Sequence, residues 1–376
     1  PAAVLARALG IPAVVGVGDA IASVDEGTRL ALDGVAGVVH VDPPDGVVAE
    51  VMSRADERAA AAAAASRRAH EPAITLDGVT IEVAANVGTP AEIAPAVAAG
   101  ADGIGLFRTE FLFMGRETMP DEEEQEAAYR AAAEALDGRP LLVRTLDAGA
   151  DKPLRWLGQS PETNPFLGVR GVRLGLARPD VLSPQLRALA RVAAHHRVRV
   201  MFPMVATVAE LRAARGALED ARRAVAPDAS IEVGVMIEVP SAALTAAHLA
   251  DDVDFFSVGT NDLTQYTLAA DRGNEHVAAL HDALHPAVLR LVALAAEAAS
   301  RTGTWIGVCG ELAGDATATR LLLGMGVTEL SMGSPAIATV KEAVRAVDLA
   351  DARGLARRAL GLPDGGAVRD LLAGSS

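Results

Sequence analysis

Several residue types and patterns are scarce in this sequence, and each scarcity excludes a class of protein. A single cysteine, Cys309, among 376 residues excludes an internal disulfide framework and fits a reducing compartment such as the cytoplasm. No apolar run approaches about 18 residues without a charge, so we expect no transmembrane helix. Aromatic residues make up only 3% of the chain although 51% of it is hydrophobic, so alanine, valine and leucine must form most of the core. A net charge of −15 argues against nucleic acid or an anionic membrane surface as the main partner.

Common motifs of nucleotide and zinc chemistry are missing as well. The sequence contains no P-loop of the form GxxxxGK[ST], and the segment GVGDA is too short for a dinucleotide-binding fingerprint. The histidines show no ligand spacing with the cysteine, so we expect no zinc site. The first residues, PAAVLARALGIP, lack both an initiator methionine and the basic region of a signal peptide.

The N-terminal part of the chain predicts a small β-rich unit and a helix. Within residues 1–43, the expected elements are a short helix at 2–9, a strand at 12–18 and two short strands around Asp33. This unit is too short to fold comfortably alone, and we interpret it as the remnant of a domain that begins upstream. Residues 44–72 predict a linker helix because they are rich in alanine, the strongest helix former.

Residues 73–376 show a regular alternation of two patterns. Apolar, strand-like runs occur at 81–87, 103–107, 141–146, 198–203, 231–239, 253–258, 305–308 and 329–332. Helix-like stretches lie at 90–99, 184–195, 208–225, 241–249, 285–301 and 317–325. Eight strands that alternate with helices over about 300 residues predict an α/β fold of the (β/α)8 TIM-type barrel, with a doubly wound open sheet as the alternative. Segment 108–130 is long for a loop and is interpreted as an insertion over the mouth of the barrel.

Polar side chains follow most of the predicted strands. The residues at the ends of the eight runs are Asn86, Arg108, Arg144, Met204, Glu238, Asn261 with Asp262, Cys309 with Glu311, and Ser331, and six of the eight runs end in an ionisable or amide group. In a (β/α)8 barrel, active sites are built from the carboxyl ends of the strands. We therefore expect one shared site.

Two carboxylates, Glu238 and Asp262, end neighbouring runs. Two protein oxygen ligands, completed by substrate and water, are a usual way to hold Mg²⁺ when the substrate carries phosphate. A general acid and base pair, or carboxylates paired with arginines, remain alternative interpretations.

Several arginines are predicted near the same mouth, namely Arg108, Arg144, Arg170 and Arg272. Guanidinium groups bind phosphate and carboxylate in a bidentate manner and stay charged, so this set suits a small polyanion. Arg108 and Arg144 stand out because each directly follows an apolar run and precedes a threonine.

Cys309 lies between small residues in GVCGEL, directly after an apolar run. A lone cysteine is more often a buried apolar residue than a catalytic one. Its position on the rim favours a catalytic role, in which the thiol donates a proton to, or accepts one from, a carbanion-like carbon.

Six blocks of this sequence resemble the phosphoenolpyruvate-utilising enzymes. They are GIGLFRTEFLFM, VRTLDAGADKPL, ETNPFLGVRGVRL, IEVGVMIEVPSA, FFSVGTNDLTQYTLAADRGN and GVCGELAGD, and they cover nearly all of residues 73–333 in order. Within that family the chain is most similar to Enzyme I of the bacterial sugar phosphotransferase system. Pyruvate phosphate dikinase and phosphoenolpyruvate synthase share the core motifs and are the alternatives.

The resemblance implies a role for each candidate residue. Arg108 and Arg144 match the arginines that hold the phosphoryl group of phosphoenolpyruvate, and Arg170 and Arg272 add contacts. Glu238 and Asp262 match Mg²⁺ ligands, and Asn261 matches an amide that touches the substrate. Cys309 matches the residue that protonates the enolate carbon as pyruvate forms.

The resemblance also implies partners. The family transfers the phosphoryl group to a histidine on a swivelling domain, for relay to the carrier protein HPr in sugar uptake. In the family this histidine lies in a motif like GGxTSHxAIxAR, and the start of this chain resembles the end of that motif. Counting back from Arg7 places Pro1 at the histidine position, so the acceptor is not visible in this chain. We expect a C-terminal portion of the enzyme that binds phosphoenolpyruvate and Mg²⁺, is cytoplasmic and forms a homodimer through the barrel. A catalytically silent binding module on the same barrel is the other interpretation.

Overall fold

A computed structural model describes residues 11–34, 36–149, 154–158 and 162–374. The chain divides into two compact units, Pro1–Ala69 and His70–Ser376. Each unit has its own secondary structure.

The first unit contains a β-hairpin and a long helix. Strands β1 (Leu30–Asp33) and β2 (Val38–Val41) pair antiparallel, as the sequence predicts. The Asp33 carboxylate is buried, accepts the backbone N–H of Ala36 at 3.0 Å and lies 3.4 Å from a guanidinium nitrogen of Arg54. Arg54 belongs to helix α1 (Asp45–Arg67), which confirms the helix predicted for this region and ties it to the hairpin.

One predicted strand in the first unit is wrong. Residues 12–17 form no strand, and a 3-10 helix (Gly18–Ser23) follows them. Gly16 and Gly18 have φ angles of +73° and +63°, and this left-handed conformation interrupts an extended chain. The helix predicted at 2–9 and the position of Pro1 lie outside the described residues.

The second unit is a closed barrel of parallel strands. A short strand, β3 (Ala73–Ile74), pairs antiparallel with the first barrel strand. Within the described residues, the eight barrel strands are β4 (Thr80–Val87), β5 (Ile104–Arg108), β6 (Leu141–Arg144), β7 (Val198–Phe202), β8 (Glu232–Ile237), β9 (Phe255–Val258), β10 (Trp305–Val308) and β11 (Glu329–Met332). They pair in chain order, and β11 pairs in parallel with β4. This last pairing closes the sheet, confirms the (β/α)8 prediction and excludes the doubly wound alternative.

Helices surround the barrel and follow its strands. They are α2 (Ile93–Ala98), α3 (Glu110–Phe113), α4 (Glu122–Glu134), α5 (Val172–Ala177), α6 (Pro179–Ala193), α7 (Val208–Val225), α8 (Pro240–Leu244), α9 (Ala246–Leu249), α10 (Thr260–Leu268), α11 (Pro286–Thr302), α12 (Ala316–Gly324), α13 (Ile337–Arg345), α14 (Leu349–Leu360) and α15 (Gly365–Ala373). Capping residues close in sequence stabilise the first turn of several helices. At α7, Thr207 and Glu210 form a reciprocal capping box. Among the described residues, no helix is long and apolar enough to cross a membrane.

The segment interpreted as an insertion contains two helices with different positions. Helix α3 follows β5 directly and brings Glu110 to the mouth, where it contacts Arg144. Helix α4 packs outside the barrel against α6, and Arg187 of α6 contacts Glu122 of α4. The segment is therefore mainly the helical connection between β5 and β6, which the sequence pattern did not show because α4 begins with three glutamates.

The barrel separates two apolar cores. The larger core lies between the strands and the surrounding helices. The smaller core fills the barrel interior and consists of Leu106, Leu142, Met201, Met236, Phe255 and Cys309. Alternating side chains of one strand face opposite sides of the sheet, so the strands from β5 to β9 contribute to both cores.

A charged network fills the interior at the amino-terminal ends of the strands. The Arg199 guanidinium lies 3.0 Å from Glu82, 3.2 Å from Glu232 and 3.5 Å from Glu329. It also lies over the Trp305 ring, 4.6 Å from the centroid. Glu329 is buried and neither of its carboxylate oxygens has a hydrogen-bond partner within the described residues. Burial, followed by the charge of Glu82, raises the pKa of Glu329 well above its usual range.

We predict that neutral Glu329 makes the stability of the barrel fall as pH rises. The folded state keeps a proton on Glu329 at pH values where the unfolded chain has released it, so unfolding becomes easier above the ordinary glutamate pKa. The variant Glu329→Gln mimics the protonated acid and should remove a slope of at most about 1.4 kcal/mol per pH unit, the limit for one proton. The measurement is the midpoint of urea unfolding at several pH values between 5 and 8, with the fluorescence of Trp305 as the signal.

The exposed variant Glu297→Gln, on the outer surface of α11, is the control and should retain the wild-type pH dependence. A Glu329→Gln variant with an unchanged slope would show that Glu329 is ionised in the folded barrel.

Candidate active site at the mouth of the barrel

The predicted site residues gather at the carboxyl ends of the strands. Arg108 and Arg144 are the last residues of β5 and β6, and Glu238 and Cys309 come directly after β8 and β10. Asn261 and Asp262 lie in the first turn of α10, which begins two residues after β9. Arg170 and Arg272, from two loops, reach Asp262 at 3.1 and 3.9 Å. All eight residues predicted from the sequence therefore lie at one mouth.

The two carboxylates predicted to bind a cation are desolvated. Glu238 is fully buried, and its Oε1 accepts the backbone N–H of Met204 at 2.6 Å, whereas Oε2 has no hydrogen-bond partner within the described residues. Burial, and then the charges of Asp262 and Asp147, raise the pKa of Glu238 to about 8. A buried carboxylate oxygen without a hydrogen-bond partner is costly when the group is ionised. A positive charge close to Oε2 would therefore be stabilised.

An unusual backbone conformation orients Glu238. Met204, directly after β7 and Pro203, has a φ angle of +59°, a left-handed conformation that is uncommon for residues other than glycine. Gly171 approaches it so closely that a Cβ on Gly171 would lie 2.9 Å from the Cβ of Met204. This packing holds the Met204 N–H on Oε1 of Glu238, while the buried Oε2 keeps no hydrogen-bond partner within the described residues.

Arg144 is fixed by two carboxylates that the sequence analysis did not use. Its Nη2 donates to Glu110 and its Nη1 lies 3.1 Å from Asp147. Burial opposes its charge, but Glu110 and Asp147 outweigh burial and raise the pKa of Arg144 above its ordinary value. Its Nε–H is buried without a hydrogen-bond partner among the described residues, so this cation retains donor capacity.

Arg170 differs from the other arginines because its donors are nearly all used. Nε and Nη2 donate to the two oxygens of Asp147, each at 3.0 Å, and Nη1 donates to Asp262 at 3.1 Å and to the Tyr266 hydroxyl at 3.3 Å. Only 2% of the residue is exposed. Its geometry fits a residue that supports Asp262, and it leaves little capacity for the substrate contact that the sequence predicts.

Arg108 and Arg272 are the more accessible cations. Arg108 retains exposed surface and makes no hydrogen bond among the described residues. Burial of its base within the mouth, and then the charge of Arg144, lower the pKa of Arg108, which is the expected effect of a second cation nearby. Arg272 has 34% of its side chain exposed, and its backbone N–H is fixed by Gln265 at 3.2 Å.

Cys309 lies at the top of the interior core. Its backbone N–H and its thiol both point to the carbonyl of Val258, at 3.0 and 3.6 Å. Burial raises the pKa of the thiol to about 11, against an opposing effect of the Ser257 hydroxyl. At neutral pH the group is therefore a protonated thiol and can donate a proton.

Glu110 and Asp147 could have been found from the sequence. They stand two and three residues after Arg108 and Arg144, in the segments RTE and RTLD. A carboxylate at that spacing from a strand-terminal arginine can neutralise an arginine at the same rim. The spacing alone does not show that both carboxylates turn to Arg144, which depends on the β5–β6 register.

A cavity with different chemistry lies elsewhere in the second unit. It has a volume of about 480 Å³ and lies outside the barrel, between α7 and the start of β8. Its two arginines, Arg215 and Arg222, are paired with Asp252 and Glu219. In the mouth, by contrast, Oε2 of Glu238 and Nε of Arg144 have no hydrogen-bond partner within the described residues.

Two family models match the sequence. The model described as "PEP-utilising enzyme, PEP-binding domain" matches residues 62–349, and the model described as "PEP-utilising enzyme, mobile domain" matches residues 1–37. The first match includes all eight strands of the barrel and all eight residues of the mouth.

Curated relatives cover nearly the whole chain. The phosphoenolpyruvate-protein phosphotransferase of Haloferax volcanii is 49% identical over 371 residues, which are 96% of this chain and 63% of that protein. That of Staphylococcus carnosus is 44% identical over 377 residues, with 98% and 65% coverage. The multiphosphoryl transfer protein of Rhodobacter capsulatus is 46% identical over 368 residues, with 98% and 44% coverage. The chain thus spans between 44% and 65% of the length of these relatives.

Among solved structures, a citrate lyase from Burkholderia xenovorans aligns with a TM-score of 0.49 at 16% identity, covering 78% of this chain and 90% of its own. The fold rests on the strand pairings of this chain, and the family rests on the sequence match across the barrel. The chain belongs to the PEP-utilising enzymes, the family of proteins that use phosphoenolpyruvate.

Proposed function

We propose that this chain is the phosphoenolpyruvate-binding portion of a phosphoenolpyruvate-protein phosphotransferase. The observation that carries the proposal is one mouth where Glu238 and Asp262 face Arg108, Arg144 and Arg272, with a protonated thiol at its edge. Phosphoenolpyruvate carries a phosphoryl group and a carboxylate, so it is a small polyanion of the kind that such cations bind. The names of the relatives supply the reaction class.

Glu238 and Asp262 would hold Mg²⁺ in this proposal. Among the described residues, no group of three or more histidine, cysteine or acidic side chains is arranged to hold a metal. Two carboxylates, one of them with an orphaned oxygen, fit Mg²⁺ that takes its other ligands from substrate and water. When bound, the ion would supply positive charge to the phosphoryl and enolate oxygens.

The arginines of the mouth have two different roles. Arg108, Arg144 and Arg272 bind the phosphoryl and carboxylate oxygens, and their charges stabilise the transferring group. Arg170 holds Asp262 and Asp147 in place, because four of its N–H groups are already donated. Asn261 accepts the backbone N–H of Glu311 at 3.4 Å, so its amide nitrogen remains to touch the substrate.

Cys309 is the proton donor of the proposed reaction. Once the phosphoryl group leaves, the enolate of pyruvate needs a proton at C3. The thiol S–H bond breaks, the proton forms the new C–H bond, and the electron pair stays on sulfur as a thiolate. A thiol with a pKa of about 11 is protonated before this step, as a general acid must be.

The whole protein would transfer the phosphoryl group onward. We propose that residues 1–43 belong to the swivelling domain that carries the acceptor histidine, that 44–72 link it and that 73–376 form the binding barrel. The mobile-domain match to residues 1–37 supports this division. The acceptor would pass the group to HPr for sugar uptake, in a cytoplasmic enzyme that is a homodimer through its barrel.

Calorimetric titration with phosphoenolpyruvate, with and without Mg²⁺, tests the proposed function. We expect binding that weakens at least about tenfold when Mg²⁺ is removed, which is about 1.4 kcal/mol. The variant Asp262→Asn should lose the dependence on Mg²⁺, whereas Asp271→Asn, an exposed acid on the following loop, should retain it. Absence of binding, or binding that ignores Mg²⁺, would contradict the proposal.

Substitution of Arg108 should weaken binding without loss of stability. Its side chain retains exposed surface and has no hydrogen-bond partner among the described residues, so Arg108→Gln removes only contacts to the ligand. A charge-assisted hydrogen bond is worth about 1.5–3 kcal/mol, so the dissociation constant for phosphoenolpyruvate should rise about 10–100-fold. By contrast, Arg144→Gln removes a buried guanidinium group that contacts Glu110 and Asp147, and should cost about 3–5 kcal/mol of stability.

The two variants are compared by calorimetry and by thermal unfolding, with Arg116→Gln, which breaks an exposed ion pair with Glu124, as the control. A large loss of stability in Arg108→Gln would show that Arg108 has a structural role.

Substitution of Cys309 should separate binding from proton transfer. In Cys309→Ala the dissociation constant for phosphoenolpyruvate should change by less than about twofold, since the thiol contributes no charge to the ligand. Exchange of the methyl protons of pyruvate with D₂O, measured by NMR with Mg²⁺ present, should fall about 100-fold, a typical contribution of a general acid and base. Equal losses of binding and exchange would identify Cys309 as a structural thiol.

A further inference from the structure

The side chain of Asn86 joins three strands at the mouth of the barrel. Asn86 belongs to β4, and its Nδ2 donates to the carbonyl of Cys309 at 2.8 Å and to the carbonyl of Ser331 at 3.1 Å. Its Oδ1 accepts the hydroxyl of Ser331 at 2.6 Å. Both N–H groups of the amide are therefore used, and the hydroxyl of Ser331 fixes which way the amide faces.

An irregularity in the sheet directs Asn86 to this position. The parallel pairing of β4 with β5 shifts between Ala85 and Asn86, whose partners are Ile104 and Leu106. Gly105 is the extra residue, and a Cβ on Gly105 would lie 2.5 Å from the Ser331 hydroxyl oxygen. Bulges of this kind redirect side chains next to active sites. Here the bulge turns Asn86 toward β10 and β11, and glycine leaves room for its partner, Ser331.

The contacts of Asn86 complete the restraint of Cys309. On one side, the backbone N–H and the thiol of Cys309 point to Val258 of β9. On the other side, the carbonyl of Cys309 is held by Asn86 of β4. The residue is thus tied to strands on both sides of its own, and its thiol has few ways to move.

We propose that Asn86, oriented by Ser331, is a positioning residue that holds the Cys309 thiol where it can reach C3 of the substrate. The inference rests on the proposed function, because it assumes the proton donor described above. Proton transfer requires hydrogen-bond reach between donor and acceptor, and a displacement of about 1 Å can cost about 100-fold in rate. Asn86 touches no cation and no carboxylate of the mouth in the described contacts, so ligand binding does not depend on it.

The test separates the affinity for phosphoenolpyruvate from the rate of proton transfer. Asn86→Leu keeps the approximate size of the side chain and removes its donors. We expect the dissociation constant for phosphoenolpyruvate with Mg²⁺ to stay within about twofold, while the rate of deuterium exchange into pyruvate at saturation falls at least about tenfold. Ser331→Ala removes only the bond that orients the amide, and the exchange rate should fall by about two- to fivefold. This milder variant keeps the test decisive if Asn86→Leu does not fold.

The matched control is Gln125→Leu, which removes a buried amide that donates to the carbonyl of Pro120 at 3.1 Å, at the start of α4. It should lower stability and leave both affinity and exchange rate unchanged. Asn86 and Ser331 variants with wild-type exchange would overturn the inference, as would variants that lose affinity and exchange together. A wild-type chain that binds phosphoenolpyruvate but exchanges no deuterium would also overturn it. A wild-type chain that does not bind phosphoenolpyruvate would instead contradict the proposed function.

Discussion

The balance of charge in a desolvated space is the constraint on which the mouth of this barrel depends. Four buried carboxylates face two buried guanidinium groups, in a continuous set formed by Glu110, Asp147, Glu238, Asp262, Arg144 and Arg170. A buried ion without its partner costs several kcal/mol, so the members of the set stabilise one another. Burial, and then the charges of Asp262 and Asp147, raise the pKa of Glu238, so a divalent cation would be stabilised beside it. The same charges thus hold the loops together and define what the mouth can bind.

The closed sheet makes this balance possible because it gathers residues from distant parts of the chain. Arg144 and Asp262 are more than a hundred residues apart in sequence, yet both follow strands whose carboxyl ends meet at one rim. Two local backbone irregularities then orient individual groups at this rim. The left-handed Met204 turns its N–H to Glu238, and the bulge at Asn86 turns an amide to the Cys309 carbonyl. At the opposite end of the strands, Arg199 and three glutamates form a second network, in which Arg199 and Glu329 are buried and which takes no part in the mouth.

Much of the fold was predictable because it depends on short-range patterns. All eight barrel strands were predicted within two residues of their ends, since buried parallel strands are continuous apolar runs. Helix α7 was predicted at its observed limits because its capping box and amphipathic pattern are local. The prediction failed at 12–18, where two left-handed glycines interrupt an apolar run, and it missed α4, whose acidic first turn hides its buried face.

The candidate site, like the fold, was predictable from the sequence only in part. The sequence by itself determined which residues stand at the ends of the strands, because strand periodicity and the parallel order of the barrel place Arg108, Arg144, Glu238, Asp262 and Cys309 at one rim. Only the tertiary structure decided how these groups share their hydrogen bonds. It assigns the donors of Arg170 to Asp147 and Asp262, pairs Glu110 with Arg144 and ties Asn86 to Cys309. These partnerships depend on strand register and on burial, and both are properties of the closed sheet that no short segment of the chain contains.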